Sequence, residues 1–255
     1  MVAGLDRWRE YFSEYKDKYV LIGGAACNLL EEELDMNPRA TKDLDLILVV
    51  EALTQDFGAR LWDFIKHANY SNRNKSENEH KHEYYRFTNP HDKTYPKQIE
   101  LFARNTGILN LPADAHLEPI SLGENLSSLS AILMDDDYYL FTIEHSRYLE
   151  NIHIANPEAL ICLKAKAYIE MIERKDKGES VDNKNVEKHK KDIFRLVAML
   201  PMDSHFNLPD KLKIDMSVFI QKVGDLPNSD FLKSAGLGGL NVEELFELLH
   251  KAFMV

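Results

Sequence analysis

Short apolar runs bounded by turn residues alternate with segments of helical spacing up to about residue 155. KYVLIGG, residues 18–24, is an apolar run that two glycines stop, so it predicts a buried strand that enters a tight turn. DLDLILVV, residues 43–50, alternates at its start and predicts a second strand. Apolar positions recur at helical spacing in residues 5–15, 25–34 and 52–68. This part of the chain therefore predicts mixed strands and helices.

Two further hairpins are predicted in the same region. YYRF, residues 84–87, and KQIELFA, residues 97–103, read as paired strands joined by NPHDKTYP, whose prolines prevent pairing. Residues 126–134 and 138–143 read as a second pair of strands around an acidic turn. The polar residues 69–81 predict a loop or lid.

The pattern changes at Asn156. Asn156 suits an N-cap, Pro157 suits the first helical position and Glu158 suits the first turn. Helices are predicted over residues 157–176, 184–200, 211–223 and 241–254. We therefore expect an α+β domain in residues 1–155, with a character close to α/β, and a helical C-terminal domain in residues 156–255.

Composition narrows the classes of function. The formal net charge of −11 argues against non-specific wrapping of nucleic acid, although the segment 164–195 is basic and reads either as a solvated helical pair or as a phosphate-facing patch. Cys27 and Cys162 are too few for a disulfide framework and predict buried thiols. The N-terminus carries charges, and no run approaches the roughly 20 apolar residues of a membrane span. We expect a cytoplasmic protein that does not enter a membrane.

Gly23-Gly24 and the Asp43-Leu44-Asp45 segment are the candidate chemistry. A strand that ends at two glycines and leads into a helix leaves backbone N–H groups available to an anion, but a tight turn explains the glycines equally well. Asp43 and Asp45 point to the same face of their strand, roughly 7 Å apart. A divalent cation such as Mg²⁺ would offset their repulsion, whereas a lone DxD pair can be a solvated strand end.

The whole string is more specific than its parts. GG followed by RATKDLDLIL resembles the signature of the DNA polymerase beta-like nucleotidyltransferases, and Arg39-Ala40-Thr41-Lys42-Asp43-Leu44-Asp45 is similar to the R-x-T-x-D-x-D form of AbiEii-like toxins and related bacterial enzymes. The resemblance implies a nucleotidyltransferase fold, a mixed sheet flanked by helices. It implies Gly23 and Gly24 at the triphosphate, Arg39 and Thr41 near the phosphates, and Asp43 and Asp45 as ligands of Mg²⁺ or Mn²⁺.

The resemblance extends to three more residues. Glu100 matches the third acidic residue of the family, which completes the metal site and acts as, or orients, the general base. Many members have Asp at this position. The alternative interpretation of Glu100 is an outward-facing glutamate on a strand. NPEALICLKAKAYIEM and KHKKDIFRLVAML resemble paired helices of the same family. This resemblance implies that Lys164 reaches the nucleotide phosphates and that Asp192 either positions Lys164 or lies near the acceptor. Without the family, Lys164 lies on an apolar helix face and either snorkels or meets an anion, and Asp192 reads as a surface acid.

These residues predict transfer of a nucleoside monophosphate from an NTP to an acceptor. The resemblance suggests that the acceptor is RNA, such as a tRNA end, or a protein hydroxyl, and a small-molecule acceptor is also possible. If the protein is a toxin, an antitoxin protein would be its partner. The alternatives are a non-catalytic nucleotide-binding module on the same fold and a DxD glycosyltransferase. His80 and His82 form a weaker candidate metal pair, because no third ligand lies nearby in the sequence.

Overall fold

A computed structural model describes residues 2–70, 84–102, 132, 135–223 and 229–255. The chain divides into two compact units. The first comprises Met1–Met134 and Ser146–Ala155, and the second comprises Asp135–His145 and Asn156–Val255. A single boundary near residue 155 would assign Asp135–His145 to the first domain, but this segment groups with the second unit. His80, His82 and the predicted strand at residues 126–134 lie outside the described residues, apart from Ile132.

The first unit combines strands and helices. Its helices are α1 (Leu5–Tyr11), α2 (Gly23–Glu33) and α3 (Gln55–Ala68). Its strands are β1 (Tyr19–Ile22), β2 (Asp43–Leu48), β3 (Tyr84–Thr88), β4 (Gln98–Phe102), β5 (Ser146–Leu149) and β6 (Ile152–Ala155). The described strands form one six-stranded sheet in the order β3-β4-β2-β1-β6-β5. The sheet is mixed: β2 pairs parallel with β4 and β1 pairs parallel with β6, while the other pairs are antiparallel. The α+β prediction is confirmed.

Strand β2 is central because it lies between β1 and β4. All four residues of β1 are buried, and so are Leu44 and Leu46 to Leu48 of β2, so the inner strands are covered on both faces. Asp43 and Asp45 are the half-buried exceptions in β2. An aromatic cluster buries α1 against its neighbours: Trp8 stacks on Phe12 with ring centroids 4.0 Å apart, and Phe64 of α3 meets Trp8 edge-on at 5.4 Å.

The second unit is helical in its described residues. Its helices are α4 (Asp136–Glu144), α5 (Pro157–Asp176), α6 (Asn183–Val197), α7 (Asp210–Val223), α8 (Ser229–Ser234) and α9 (Val242–Phe253). Helix α5 begins at Pro157, as predicted. Side-chain caps start three other helices, α4, α6 and α9. Asp182 accepts from the backbone N–H of Lys184 at 2.9 Å, and Asn241 accepts from that of Glu243 at 2.8 Å. Helix α5 packs against α6 and α7, and this packing forms the core of the unit.

The strand predicted at residues 138–143 is wrong, since these residues belong to α4. Asp135 caps the helix by accepting from the N–H of Asp137 at 3.0 Å, and two further acidic residues occupy the first turn. Tyr138, Phe141 and Thr142 are buried at the spacing i, i+3 and i+4, which a helix presents on one face. The aromatic and β-branched composition favoured a strand, but the capping and the burial pattern decided for a helix.

The hydrophobic pattern did not reveal the β5–β6 hairpin. Its two-residue turn holds Glu150 and Asn151 at φ values of 46° and 67°, a left-handed conformation that hairpins usually assign to glycine or asparagine. Arg9 of α1 contacts Glu150 at 3.0 Å, and Lys16 donates to Asn151 at 2.9 Å. Because β6 pairs with β1, the hairpin supports the strand that leads into Gly23.

None of the helices in the described part of the chain has both the length and the apolar character that a bilayer crossing requires. Cys27 and Cys162 are buried and form no disulfide, as predicted. Burial raises the pKa of the Cys162 thiol.

The left-handed turn can be tested by comparing Asn151→Ala with Asn151→Gly. Both variants lose the hydrogen bond from Lys16, but only alanine opposes the positive φ of 67°. We expect Asn151→Ala to be less stable than Asn151→Gly by about 1 kcal/mol. The chain's two tryptophans, Trp8 and Trp62, lie in the first unit, so tryptophan fluorescence during urea unfolding reports this unit. Equal stability of the two variants would contradict the assignment of strain to this turn.

Candidate functional site in the first unit

The turn from β1 into α2 is built around Gly23. Its φ is +67°, and a Cβ atom at this position would lie 2.0 Å from Oδ2 of Asp45. Glycine is therefore required twice, by the backbone conformation and by the approach of the carboxylate. Ile22 precedes α2 in an extended conformation and provides no side-chain cap. The N-cap residue of α2 thus contributes no side-chain acceptor, as is common at helix termini that bind anions.

The segment before β2 lies across the same turn. A Cβ atom on Gly24 would meet the Thr41 hydroxyl oxygen at 3.1 Å and an Arg39 guanidinium nitrogen at 3.7 Å. Arg39 is exposed and Thr41 is half-buried. A hydroxyl donor and a guanidinium are therefore placed beside the start of α2, a combination that suits phosphate oxygens.

The strand register places three carboxylates on one face of the sheet. Asp45 pairs with Glu100 across the parallel strands β2 and β4, and Asp43 pairs with Gln98. Partners in register point to the same face, and neighbouring strands are roughly 4.8 Å apart. The sequence predicted Asp43 and Asp45 on one face, and the sheet adds Glu100 to that face.

Glu100 is the most enclosed of these carboxylates and has a cationic partner. Its side chain is 8% exposed, and its Oε1 accepts from Nε of Arg86 at 2.6 Å and from Nε2 of Gln98 at 3.0 Å. Burial raises the pKa of Glu100, the attraction and hydrogen bond of Arg86 lower it in part, and the charge of Asp43 raises it further. The net direction is upward.

Arg86 and Gln98 are the site residues that sequence reasoning missed. Alternation within YYRF and KQIELFA gives the face of each residue on its own strand, but the pairing of Arg86 with Glu100 depends on the antiparallel register of β3 and β4. The only signal in the sequence was an arginine in the strand predicted to pair with the strand of Glu100.

Three carboxylates on one face supply the oxygen ligands that Mg²⁺ prefers. Within the described residues, however, no group of three or more His, Cys, Asp or Glu side chains is arranged to hold a metal ion. The bonds of Glu100 Oε1 to Arg86 and Gln98 are consistent with this. The donor chemistry fits a divalent cation at Asp43 and Asp45, while Glu100, the third carboxylate, is held by Arg86.

Lys164 and Asp192 lie in the second unit and pair with each other. Nζ of Lys164 on α5 donates to Oδ2 of Asp192 on α6 at 2.8 Å, and each side chain is 6% exposed. The alternatives of a snorkelling lysine and a surface aspartate are wrong, because both groups are buried. Buried charges of opposite sign at this distance hold two helices in one register.

The two glycines of the turn should differ in their tolerance of a methyl group. We expect Gly23→Ala to lower the free energy of unfolding by about 2 kcal/mol or more, because it meets both a positive φ and the Asp45 carboxylate. Gly24→Ala meets only a contact of 3.1 Å with the Thr41 hydroxyl and should change stability by less than about 1 kcal/mol. Tryptophan fluorescence in urea measures both variants. A Gly23→Ala protein as stable as Gly24→Ala would refute the close approach.

The buried pair in the second unit gives another expectation. Lys164→Met should destabilise the protein by about 3–5 kcal/mol, because it leaves the Asp192 charge buried. Lys164→Met/Asp192→Leu should recover most of this loss, since neither charge remains. Circular dichroism at 222 nm during urea unfolding measures the loss of helix, and most of the described helical residues lie in this unit. If the double variant is no more stable than Lys164→Met, the two charges are not coupled.

Comparison of the chain with protein-family models, curated protein sequences and solved structures gives no match. The residues of the turn and the sheet, and their arrangement, are therefore what indicates a function.

Proposed function

We propose that the protein is a metal-dependent nucleotidyltransferase that transfers a nucleoside monophosphate from an NTP to an acceptor hydroxyl. The observation that carries the proposal is the placement of Asp45, which lies against Gly23 at the first turn of α2 and pairs in register with Glu100. A site for phosphates and a set of carboxylates are thereby adjacent. This adjacency supports the function that the resemblance to the polymerase beta-like and AbiEii-like enzymes implies.

The residues of the first unit have distinct roles in this reaction. The N–H groups at the start of α2 bind the triphosphate, and Thr41 and Arg39 donate to its oxygens. A divalent cation, Mg²⁺ or Mn²⁺, would be held by Asp43 and Asp45 with Glu100 as third acid, and it would offset phosphate charge and polarise the α-phosphate.

The acceptor oxygen forms a bond to the α-phosphorus, and the bond from that phosphorus to the oxygen of the leaving pyrophosphate breaks. Glu100 accepts, or directs the transfer of, the proton of the acceptor hydroxyl. Arg39 offsets charge on the leaving group. The family resemblance assigns a phosphate contact to Lys164 and a supporting role to Asp192.

We propose RNA, with tRNA ends as the first choice, as the acceptor, and protein hydroxyls or small molecules as the alternatives. A reducing cytoplasm suits an NTP-dependent enzyme whose two cysteines form no disulfide. If the enzyme is a toxin, a neutralising antitoxin protein is its partner.

One observation favours a second candidate, a nucleotide-binding module without catalysis. The ion pair between Glu100 and Arg86 at 2.6 Å engages the carboxylate that the reaction needs as third acid. Such a module would bind NTP at the same turn and would not transfer it.

The test is transfer of label from each α-³²P-NTP, with Mg²⁺, to total bacterial RNA, protein and a small-molecule extract. We expect a labelled product with the wild type, and a rate lower by at least about 100-fold with Asp43→Asn/Asp45→Asn, because these carboxylates hold the cation. Asp56→Asn/Asp63→Asn is the matched control, since both residues are exposed on α3 and carry the same charge change.

Each other outcome has a defined meaning. Binding of NTP without transfer supports the non-catalytic module. Turnover of a nucleotide sugar in place of NTP supports a DxD glycosyltransferase. A protein that neither binds nor transfers any NTP refutes the proposed function.

A further inference from the structure

The face that carries the candidate site includes a cation of its own. Arg86 pairs in register with Glu100, and Glu100 pairs in register with Asp45, so three adjacent strands present a row of arginine, glutamate and aspartate. Asp43 and Gln98 form the next row. Within the two rows, three carboxylates face one guanidinium.

The guanidinium occupies one oxygen of Glu100. Nε of Arg86 and Nε2 of Gln98 both donate to Oε1. The carboxylate is 8% exposed and the arginine side chain is 31% exposed, so the pair is sheltered on the side of the carboxylate. Sheltered charges interact more strongly than charges in water, because the local dielectric constant is lower. Arg86 therefore stabilises Glu100 where a metal ion would otherwise do so.

We propose that Arg86 is a built-in counter-charge that competes with a divalent cation for Glu100 and thereby limits cation binding before the nucleotide arrives. The inference rests on the proposed function, because it concerns the same carboxylates. The cation is held by Asp43 and Asp45 and gains the full charge of Glu100 only to the extent that the arginine releases it. Arg86 acts through Glu100 and is a positioning residue.

Two physical effects predict that removal of the guanidinium increases the affinity of the site for a cation. The cation no longer meets a like charge close to its ligands. The metal-free protein also loses the partner of a buried carboxylate, which raises its free energy, and a bound cation restores that partner. Both effects make cation binding more favourable in the variant than in the wild type.

The experiment measures Mn²⁺ binding to the purified protein, without nucleotide, from the electron paramagnetic resonance signal of free Mn²⁺. Arg86→Gln should bind Mn²⁺ at least about tenfold more tightly than the wild type. Arg86→Lys, which keeps the charge, should remain within about threefold of the wild type. Arg86→Gln should also have a lower melting temperature without metal and a larger increase in melting temperature on addition of Mn²⁺.

Arg147→Gln is the matched control. Arg147 lies on the edge strand β5 of the same unit and forms an ion pair with Glu33, so the variant has the same charge change and loses an arginine–glutamate pair, here between two partly exposed side chains. Its Mn²⁺ affinity should equal that of the wild type. In a Glu100→Gln background, Arg86→Gln should increase the Mn²⁺ affinity much less, because the carboxylate through which Arg86 acts is absent. Arg86→Met, which keeps an apolar stem, replaces Arg86→Gln if the latter does not fold.

Folded Arg86→Gln or Arg86→Met protein that binds Mn²⁺ as the wild type does, or more weakly, overturns the inference. A loss of stability with unchanged affinity means that the ion pair is only structural and also overturns it. Absence of Mn²⁺ binding in every variant has the same consequence. NTP transfer with unchanged Mn²⁺ affinity refutes the inference alone, whereas tighter Mn²⁺ binding without NTP transfer refutes the proposed function alone.

Discussion

The contact between Asp45 and Gly23 is the constraint on which the candidate site depends. A carboxylate can approach the backbone of the β1–α2 turn this closely only where no side chain intervenes, and the positive φ of Gly23 sets the direction in which α2 leaves the sheet. The same contact fixes β2 against the end of β1, in the register that joins Ile22 to Asp45. The first turn of α2 and the acidic strand β2 thereby lie side by side.

A second feature of the molecule is that a buried carboxylate in each unit is paired with a basic side chain. Glu100 in the first unit and Asp192 in the second are both nearly inaccessible to water, and each has a basic partner within 2.8 Å. Burial of an unpaired carboxylate is unfavourable by several kcal/mol, so a chain that places acids inside must supply cations as well. In the sheet the partner of Glu100 is Arg86, which pairs with it across β3 and β4.

Local signals in the sequence located some structural elements correctly and missed others. Helix starts with a cap and a proline were located well, as at Asn156-Pro157, because capping is decided within one turn. Segment 138–143 was misread, since aromatic and β-branched residues suit a strand and the cap at Asp135 was needed to decide for a helix. The hairpin at Glu150-Asn151 was missed because its turn lacks glycine.

The sequence by itself determined the mixed first region, the helical second region, the glycines of the β1–α2 turn and the shared face of Asp43 and Asp45, because all of these follow from the chain's local periodicity. Tertiary structure alone decided which residues meet across strands. It placed Glu100 beside Asp45 on the neighbouring strand, paired Glu100 with Arg86, and paired Lys164 with Asp192. The physical reason is that strand register and helix packing depend on the burial of whole elements, which no short segment of sequence contains.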